Sequence, residues 1–193
     1  VITADVLDLD LGALVARELG ATPAAKGRVT GNLPYNISSP ILVRLLDAAA
    51  ATAALGDATL MLQKEVADRL MARPSTREYG VLTLTAALGA DVTPLLELPP
   101  GAFRPVPRVH STVVRLAFRP HPPEVHDSRL VVDIVRAIFT QRRKMLSNAL
   151  ASFASARGLG AHDVLRAAGV DSRRRPETLE LAEVARLADE FAR

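Results

Sequence analysis

Cysteine and tryptophan are absent from this chain of 193 residues, and two Tyr and five Phe are its only aromatic residues. The lack of Cys excludes disulfide scaffolds, thiol nucleophiles and Cys-ligated zinc, and it suits a reducing compartment better than secretion. Lysine is scarce. Of 24 cationic residues only Lys26, Lys64 and Lys144 are Lys, a bias that reflects genomic base composition as much as function and carries no mechanism. Charges interrupt every hydrophobic stretch, so no apolar run approaches the roughly 20 residues that a membrane-spanning helix needs. His110, His121, His126 and His162 are scattered, with no carboxylate partners at ligand spacing, which argues against a metal site. The first residue is Val1 and no basic-then-apolar leader precedes it, so the natural start is expected upstream and the address is expected to be cytoplasmic.

What is present fits a globular protein, with 49% apolar and 23% charged residues. One domain, or one domain with a small appendage, is expected at this length. The formal charge of +3 is uneven. Residues 1–128 hold 12 Lys and Arg against 13 Asp and Glu, whereas residues 129–193 hold 12 against 8. A basic C-terminal part favours a polyanionic partner, although a solvated helical surface explains so small a surplus equally well.

Residues 1–5 read as the end of a buried strand and residues 9–19 as a helix stopped by Gly20. Residues 27–31 read as a second strand running into the loop 32–40 (Asn-Leu-Pro-Tyr-Asn-Ile-Ser-Ser-Pro). There Ser39 is expected as an N-cap and Pro40 as the first helical residue, followed by the apolar stripe Ile41, Leu42, Leu45, Leu46 and Ala49. Gly56 and Asp57 are expected to break the chain before a short strand over 58–63 and a helix over 64–71, which carries the i,i+4 pairs Lys64 with Asp68 and Glu65 with Arg69. Such alternation predicts a parallel α/β sheet wrapped by helices. Residues 79–88 suit a helix better than a strand. Residues 91–98 and 111–118 are expected to form an antiparallel hairpin at one sheet edge, joined by a Pro-rich link that no central strand tolerates. Beyond Pro120, Pro122 and Pro123 everything reads as helix: 130–140, 145–157, 162–168 and 179–191, with Gly158, Gly160 and Gly169 as stops.

The loop at 32–35 carries the chemistry. It follows a strand, and in open parallel sheets ligands sit beyond the carboxyl ends of strands. An exocyclic amine on a nucleobase is a poor nucleophile because its lone pair is delocalised into the ring. The Asn32 side-chain oxygen and a main-chain carbonyl next to Pro34 can accept both amine hydrogens and steer the lone pair toward an electrophilic methyl. Tyr35 can stack the base, while Pro34 fixes its own φ and holds Leu33 extended. An ordinary Asn-Pro-Tyr turn is the other reading of these four residues taken alone.

Residues 32–40 resemble the signature loop of the rRNA adenine N6-dimethyltransferases. Three further segments resemble the same family in the same order: 61–70 (Met-Leu-Gln-Lys-Glu-Val-Ala-Asp-Arg-Leu) with Tyr79-Gly80, 103–111 (Phe-Arg-Pro-Val-Pro-Arg-Val-His-Ser), and 139–144 (Phe-Thr-Gln-Arg-Arg-Lys). Pro40 and the 141–144 run are closer to the small-subunit members than to the large-subunit resistance enzymes. The resemblance implies a Rossmann-like class I methyltransferase domain, truncated at its N-terminus, over 1–119, and a small all-α, rRNA-binding domain over 120–193. It implies S-adenosylmethionine as methyl donor, no metal, and small-subunit (16S) rRNA in the 30S subunit or its precursor as partner. The implied reaction is dimethylation of N6 on two adjacent adenosines in the 3′-terminal hairpin loop, coupled to 30S assembly. Asn32, Leu33, Pro34 and Tyr35 then hold the target adenine and Phe103 closes its other face. Asp5 and Asn32 then contact the cofactor.

For Asp5, capping of the following turn is the alternative to accepting from the amine of the cofactor's adenine; for Phe103, anchoring the Pro-rich link is compatible with stacking. Arg142, Arg143 and Lys144 are expected on rRNA phosphates, and Arg108 either joins them or keeps the Pro-rich link soluble. The run Arg173, Arg174 and Arg175 leaves a solvated face and an RNA contact evenly open. The family's glycine-rich cofactor loop and ribose-binding acid are not in the chain, since Gly158-Leu159-Gly160 is helix punctuation, so the chain as it stands is expected to be inactive without an upstream segment. The rival readings are a non-catalytic small-subunit assembly factor and a large-subunit adenine methyltransferase.

Overall fold

In the computed structural model, which describes residues 2–19, 26–52 and 54–193, four strands form one sheet in the order β1-β2-β4-β3. They are β1 (Gly27–Asn32), β2 (Leu55–Gln63), β3 (Ala90–Leu98) and β4 (Ser111–Phe118). β1 and β2 run parallel, and β4 lies antiparallel to both β2 and β3. The expected hairpin of β3 and β4 is therefore present, with β3 at the sheet edge. Two compact units share the chain: the residues up to Met71 with Thr85–Pro120, and Ala72–Leu84 with His121–Arg193.

The sheet unit carries α1 (Leu11–Leu19), α2 (Ser38–Ala51), α3 (Lys64–Leu70) and the C-terminal half of α4 (Val81–Gly89). Side chains alternate across a strand. Accordingly Ala58, Leu60 and Leu62 of β2 and Val114 and Leu116 of β4 are fully buried, as is Leu42 of α2, while Ile41, Leu45 and Leu46 are nearly so. Arg28, Thr30 and Asn32, on the other face of β1, are exposed.

Three expectations are corrected. Residues 2–5 form no strand, and Ile2 is 52% exposed: a strand needs a hydrogen-bonded neighbour, and among the described residues none lies beside them. Gly56 and Asp57 sit inside β2 and do not precede it. Their break-like chemistry is overridden by a non-local one: the buried Asp57 carboxylate accepts from Arg28 Nε (3.0 Å) and Nη2 (2.9 Å) and from Arg115 Nε (3.0 Å) and Nη2 (2.6 Å). Finally, α2 begins at Ser38 after Ile37, so Ser39 is not its cap and Pro40 is its third residue, still within the first turn where no N–H is required. The expected stop at Gly20 lies outside the described residues. α1 starts at Leu11, two residues late, because Asp10 Oδ1 accepts from Ala13 N (2.9 Å).

The helical unit comprises α5 (Ser128–Phe139), α6 (Leu146–Ser155), α7 (Ala161–Ala167) and α8 (Leu181–Ala192), with the segment Ala72–Leu84. Asp127 caps α5 through Leu130 N (2.9 Å), and Glu180 with Glu183 forms a capping box on α8. Gly158 and Gly169 take the left-handed conformation (φ +72° and +68°) that ends a helix without Cβ strain. Its core is Val131, Ile134, Ile138, Leu146, Leu150, Leu165, Leu179 and Leu187, into which the Tyr79 ring inserts. Tyr79 Oη donates to the Leu179 carbonyl (2.6 Å), and its burial pushes the phenol pKa up to about 12.

Two carboxylates tie stability to acid. Hydrogen bonds from Arg28 and then Arg115 hold Asp57 below the usual carboxylate range against the opposing effect of burial, and Arg174 does the same for Glu183. A lowered folded-state pKa contributes stability above the unfolded value, about 4, and that stability is lost as pH falls through the lowered value. Urea midpoints followed by circular dichroism are therefore expected to drop steeply below about pH 4. Asp57→Asn should flatten that limb; an unchanged acid limb would assign it to other groups.

Candidate functional site

β1 ends at Asn32, whose register partner on β2 is Met61, and Leu33 N extends the ladder by donating to the Met61 carbonyl (3.2 Å). The chain leaves the sheet at Pro34. Ile37 N then donates to the Pro34 carbonyl (3.2 Å) and Ser38 Oγ to the Tyr35 carbonyl (3.3 Å), closing a turn that starts α2. No donor among the described residues reaches the Leu33 carbonyl, and the exposed Asn32 carboxamide makes no hydrogen bond there either. Two acceptors thus stand unengaged at the carboxyl end of a parallel strand. Of the two carbonyls next to the proline ring nitrogen, it is that of Leu33 which stays available.

The half-buried Tyr35 is fastened from its far end, its Oη lying 2.9 Å from Ser111 Oγ at the start of β4. Ser111 is fully buried and belongs to the 103–111 segment, yet no local signal distinguishes it from its neighbours there. Phe103, half-buried, caps a short 3₁₀ turn (Pro100–Ala102) through its N–H to the Pro100 carbonyl (3.2 Å). The ring pairs among the described residues are Tyr79 with Phe139 and Phe153 with Phe191, so Tyr35 and Phe103 do not stack on each other.

Asp5 is exposed and its Oδ1 accepts from Leu7 N (2.9 Å), a local turn that leaves its second oxygen without a donor among the described residues. Arg108 is exposed. In the helical unit the three cations of the 142–144 run part company. Arg142 points three of its five N–H donors inward: Nε to Glu177 Oε2 (2.7 Å), Nη1 to the Arg77 carbonyl (2.5 Å) and Nη2 to the Thr76 carbonyl (2.8 Å). Arg143 and Lys144 are exposed. The second run is divided likewise. Arg174 is bound to Glu183 and Thr178, while Arg173 faces Asp171 at the surface and Arg175 is exposed. Leu146 N donates to the Arg174 carbonyl (2.8 Å) and Ser147 N to the Ser172 carbonyl (3.1 Å), which brings the two runs side by side. No group of three or more His, Asp or Glu able to hold a metal ion occurs among the described residues, and no helix there is long and apolar enough to cross a membrane.

The family model described as "Ribosomal RNA adenine dimethylase" matches residues 1–192. The chain is similar to the ribosomal RNA small subunit methyltransferase A of Xanthomonas euvesicatoria, 47% identical over 190 residues, covering 98% of this chain and 66% of that protein. It is also similar to those of Haemophilus influenzae (42%, covering 100% and 64%) and Desulfitobacterium hafniense (41%, covering 93% and 63%). It therefore spans about two thirds of the length of these relatives. Among solved structures, a dimethyladenosine transferase from Plasmodium falciparum superposes with a TM-score of 0.71 at 24% identity, covering 86% of this chain and 66% of that one. The 23S rRNA methyltransferase ErmE gives 0.60 at 22%, covering 100% and 71%. Both likenesses show the fold alone, a mixed α/β sheet with helices.

Proposed function

Because the chain belongs to the ribosomal RNA adenine dimethylase family, we propose that it is the adenine-binding and rRNA-binding part of an enzyme that dimethylates N6 of two adjacent adenosines in the 3′-terminal hairpin loop of small-subunit (16S) rRNA. In this reading residues 1–119 bear the catalytic loop and residues 120–193 bind rRNA, in the cytoplasm, within a 30S subunit or its precursor. The observation that carries the reading is the pair of unengaged acceptors, Asn32 and the Leu33 carbonyl, beside the fastened ring of Tyr35.

S-adenosylmethionine, when bound, supplies the electrophilic methyl. Asp5 would hold its adenine through the carboxylate oxygen that has no donor on it among the described residues, and the exposed Asn32 carboxamide would lie beside its methyl-bearing end. The residues act on the substrate amine. Asn32 Oδ1 accepts one N6 hydrogen and the Leu33 carbonyl the other, which draws the nitrogen out of conjugation and aims its lone pair. No strong base is needed, since the amine becomes acidic only once alkylated. Pro34 keeps the carbonyl from turning away, and Tyr35 and Phe103 hold the two faces of the base. A loop adenosine is cheap to bring there because it is already partly unstacked. The second transfer requires room for one methyl where the first hydrogen stood, which an open main-chain carbonyl provides more readily than a closed pocket.

The test is transfer of labelled methyl from S-adenosylmethionine to small subunits lacking the modification, by this chain and by a form extended upstream to the length of its relatives. Transfer by the extended form is expected. Silence from both forms with subunit binding retained would favour a non-catalytic assembly factor, and label on large subunits alone would move the substrate to the other particle.

A further inference from the structure

We propose that Ser111 is a positioning residue for the target base, acting through Tyr35; this rests on the adenine-methylation reading above. The two residues lie 76 positions apart, and their hydroxyls meet at 2.9 Å. Ser111 is fully buried at the first position of β4, between Gln63 of β2 and Leu98 of β3, and the residue before it is pinned by Lys64 N on the His110 carbonyl (2.9 Å). Its Oγ is therefore a fixed point of the sheet. A hydroxyl in so buried a place is costly unless bonded, and Tyr35 supplies the bond. The next residue shows the contrast, for Thr112 Oγ1 is buried with no partner among the described residues.

The phenolic oxygen lies on the axis about which a tyrosine ring rotates. A bond there fixes the direction of that axis, and so the place of the ring's far end, while leaving the ring face free to meet a base. Without it the ring of Tyr35, at the tip of a turn closed by two 3.2–3.3 Å hydrogen bonds, has other rotamers to visit. Ser111 also ends the segment that begins at Phe103. The bond thus ties the loop carrying Tyr35 to the segment carrying the other ring, which is the arrangement needed to grip a base from both sides.

The experiment measures methyl transfer by the extended protein, with kcat and KM for RNA resolved, in Ser111→Ala, Tyr35→Phe, the double variant and Ser111→Thr. Losing one neutral hydrogen bond is expected to lower kcat about five- to tenfold in each single variant with KM little changed, while the thermal midpoint holds in Ser111→Ala and falls by a few degrees in Tyr35→Phe, which leaves the buried Ser111 hydroxyl without its partner. The double variant should be no worse than the poorer single one, because both remove the same bond, and Ser111→Thr should recover most of the rate. Unchanged kcat in Ser111→Ala, losses that multiply in the double variant, or kcat falling only in step with the melting temperature would overturn the positioning role. If Ser111→Ala does not fold, Tyr35→Phe decides, since it removes the bond from the loop side: an unchanged kcat there overturns the role. Absence of transfer by the unsubstituted extended protein would instead sink the adenine reading, and the positioning role with it.

Discussion

Asn32→Ala in the extended protein should lose methyl transfer by roughly 10²–10³-fold, the usual size of removing one preorganised polar group from a reacting centre. Subunit binding should stay within about twofold, because phosphate contacts elsewhere set the affinity. The carboxamide stands exposed at the last position of β1 and bonds to nothing described, so its removal leaves no buried partner stranded and the thermal midpoint should not move. The loss then belongs to the reaction alone. Asn32→Asp separates two ways of failing: it keeps an oxygen acceptor but brings a negative charge close to the methyl-bearing cation, and should retain more activity than Ala if acceptance of the amine hydrogen is the essential act. Equal loss of transfer and binding in Asn32→Ala would remove Asn32 from the chemistry.

Arg142→Ala, by contrast, should act on folding. The guanidinium satisfies Glu177 and two main-chain carbonyls from a side chain only 31% exposed, so truncation leaves the part-buried Glu177 carboxylate without its cation and hands two exposed carbonyls back to water. A loss of about 1–2 kcal/mol follows, or roughly 3–8 °C in thermal midpoint. Replacing Arg143 and Lys144 by Ala should leave the midpoint in place and instead reduce RNA affinity, flattening its salt dependence by roughly 0.7–0.9 log units per log unit of salt for each phosphate no longer neutralised. The pair of results would divide one stretch of three cations into a clamp and an RNA-facing surface. A stable Arg142→Ala protein with weakened RNA binding would reverse that division.

The strands that alternate were legible because their burial alternates: Ala58, Leu60 and Leu62 are inside, and the period shows it. The turn that follows β1 was legible because Asn, Pro and Tyr stand between a strand and an apolar helical stripe. What escaped was set by partners far along the chain. Residues 2–5 have strand-like composition but, among the described residues, no neighbour to pair with, and pairing is not a property of four residues. Asp57 looks like a turn residue until Arg28 and Arg115 are placed on its carboxylate. The sequence shows 142–144 as three equivalent charges, since nothing local indicates that Thr76, Arg77 and Glu177 wait for the first of them. Ser111 is one hydroxyl among many until Tyr35 arrives across 76 residues.

The shared ownership of the chain bears on how it is made. Ala72–Leu84 belongs to the helical unit, and Tyr79 finds its carbonyl partner 100 residues later, at Leu179. On a ribosome adding about 5–20 residues per second, the tyrosine waits roughly 5–20 s for the other side of its core to exist. Once Pro120 has been made, partway through that interval, the sheet unit can close, while the segment Ala72–Leu84 stays open with an aromatic ring unhoused. The helical unit is thus begun before the sheet unit is finished and is itself finished last, and a nascent chain arrested between Pro120 and Leu179 holds all four described strands and an unclaimed strap.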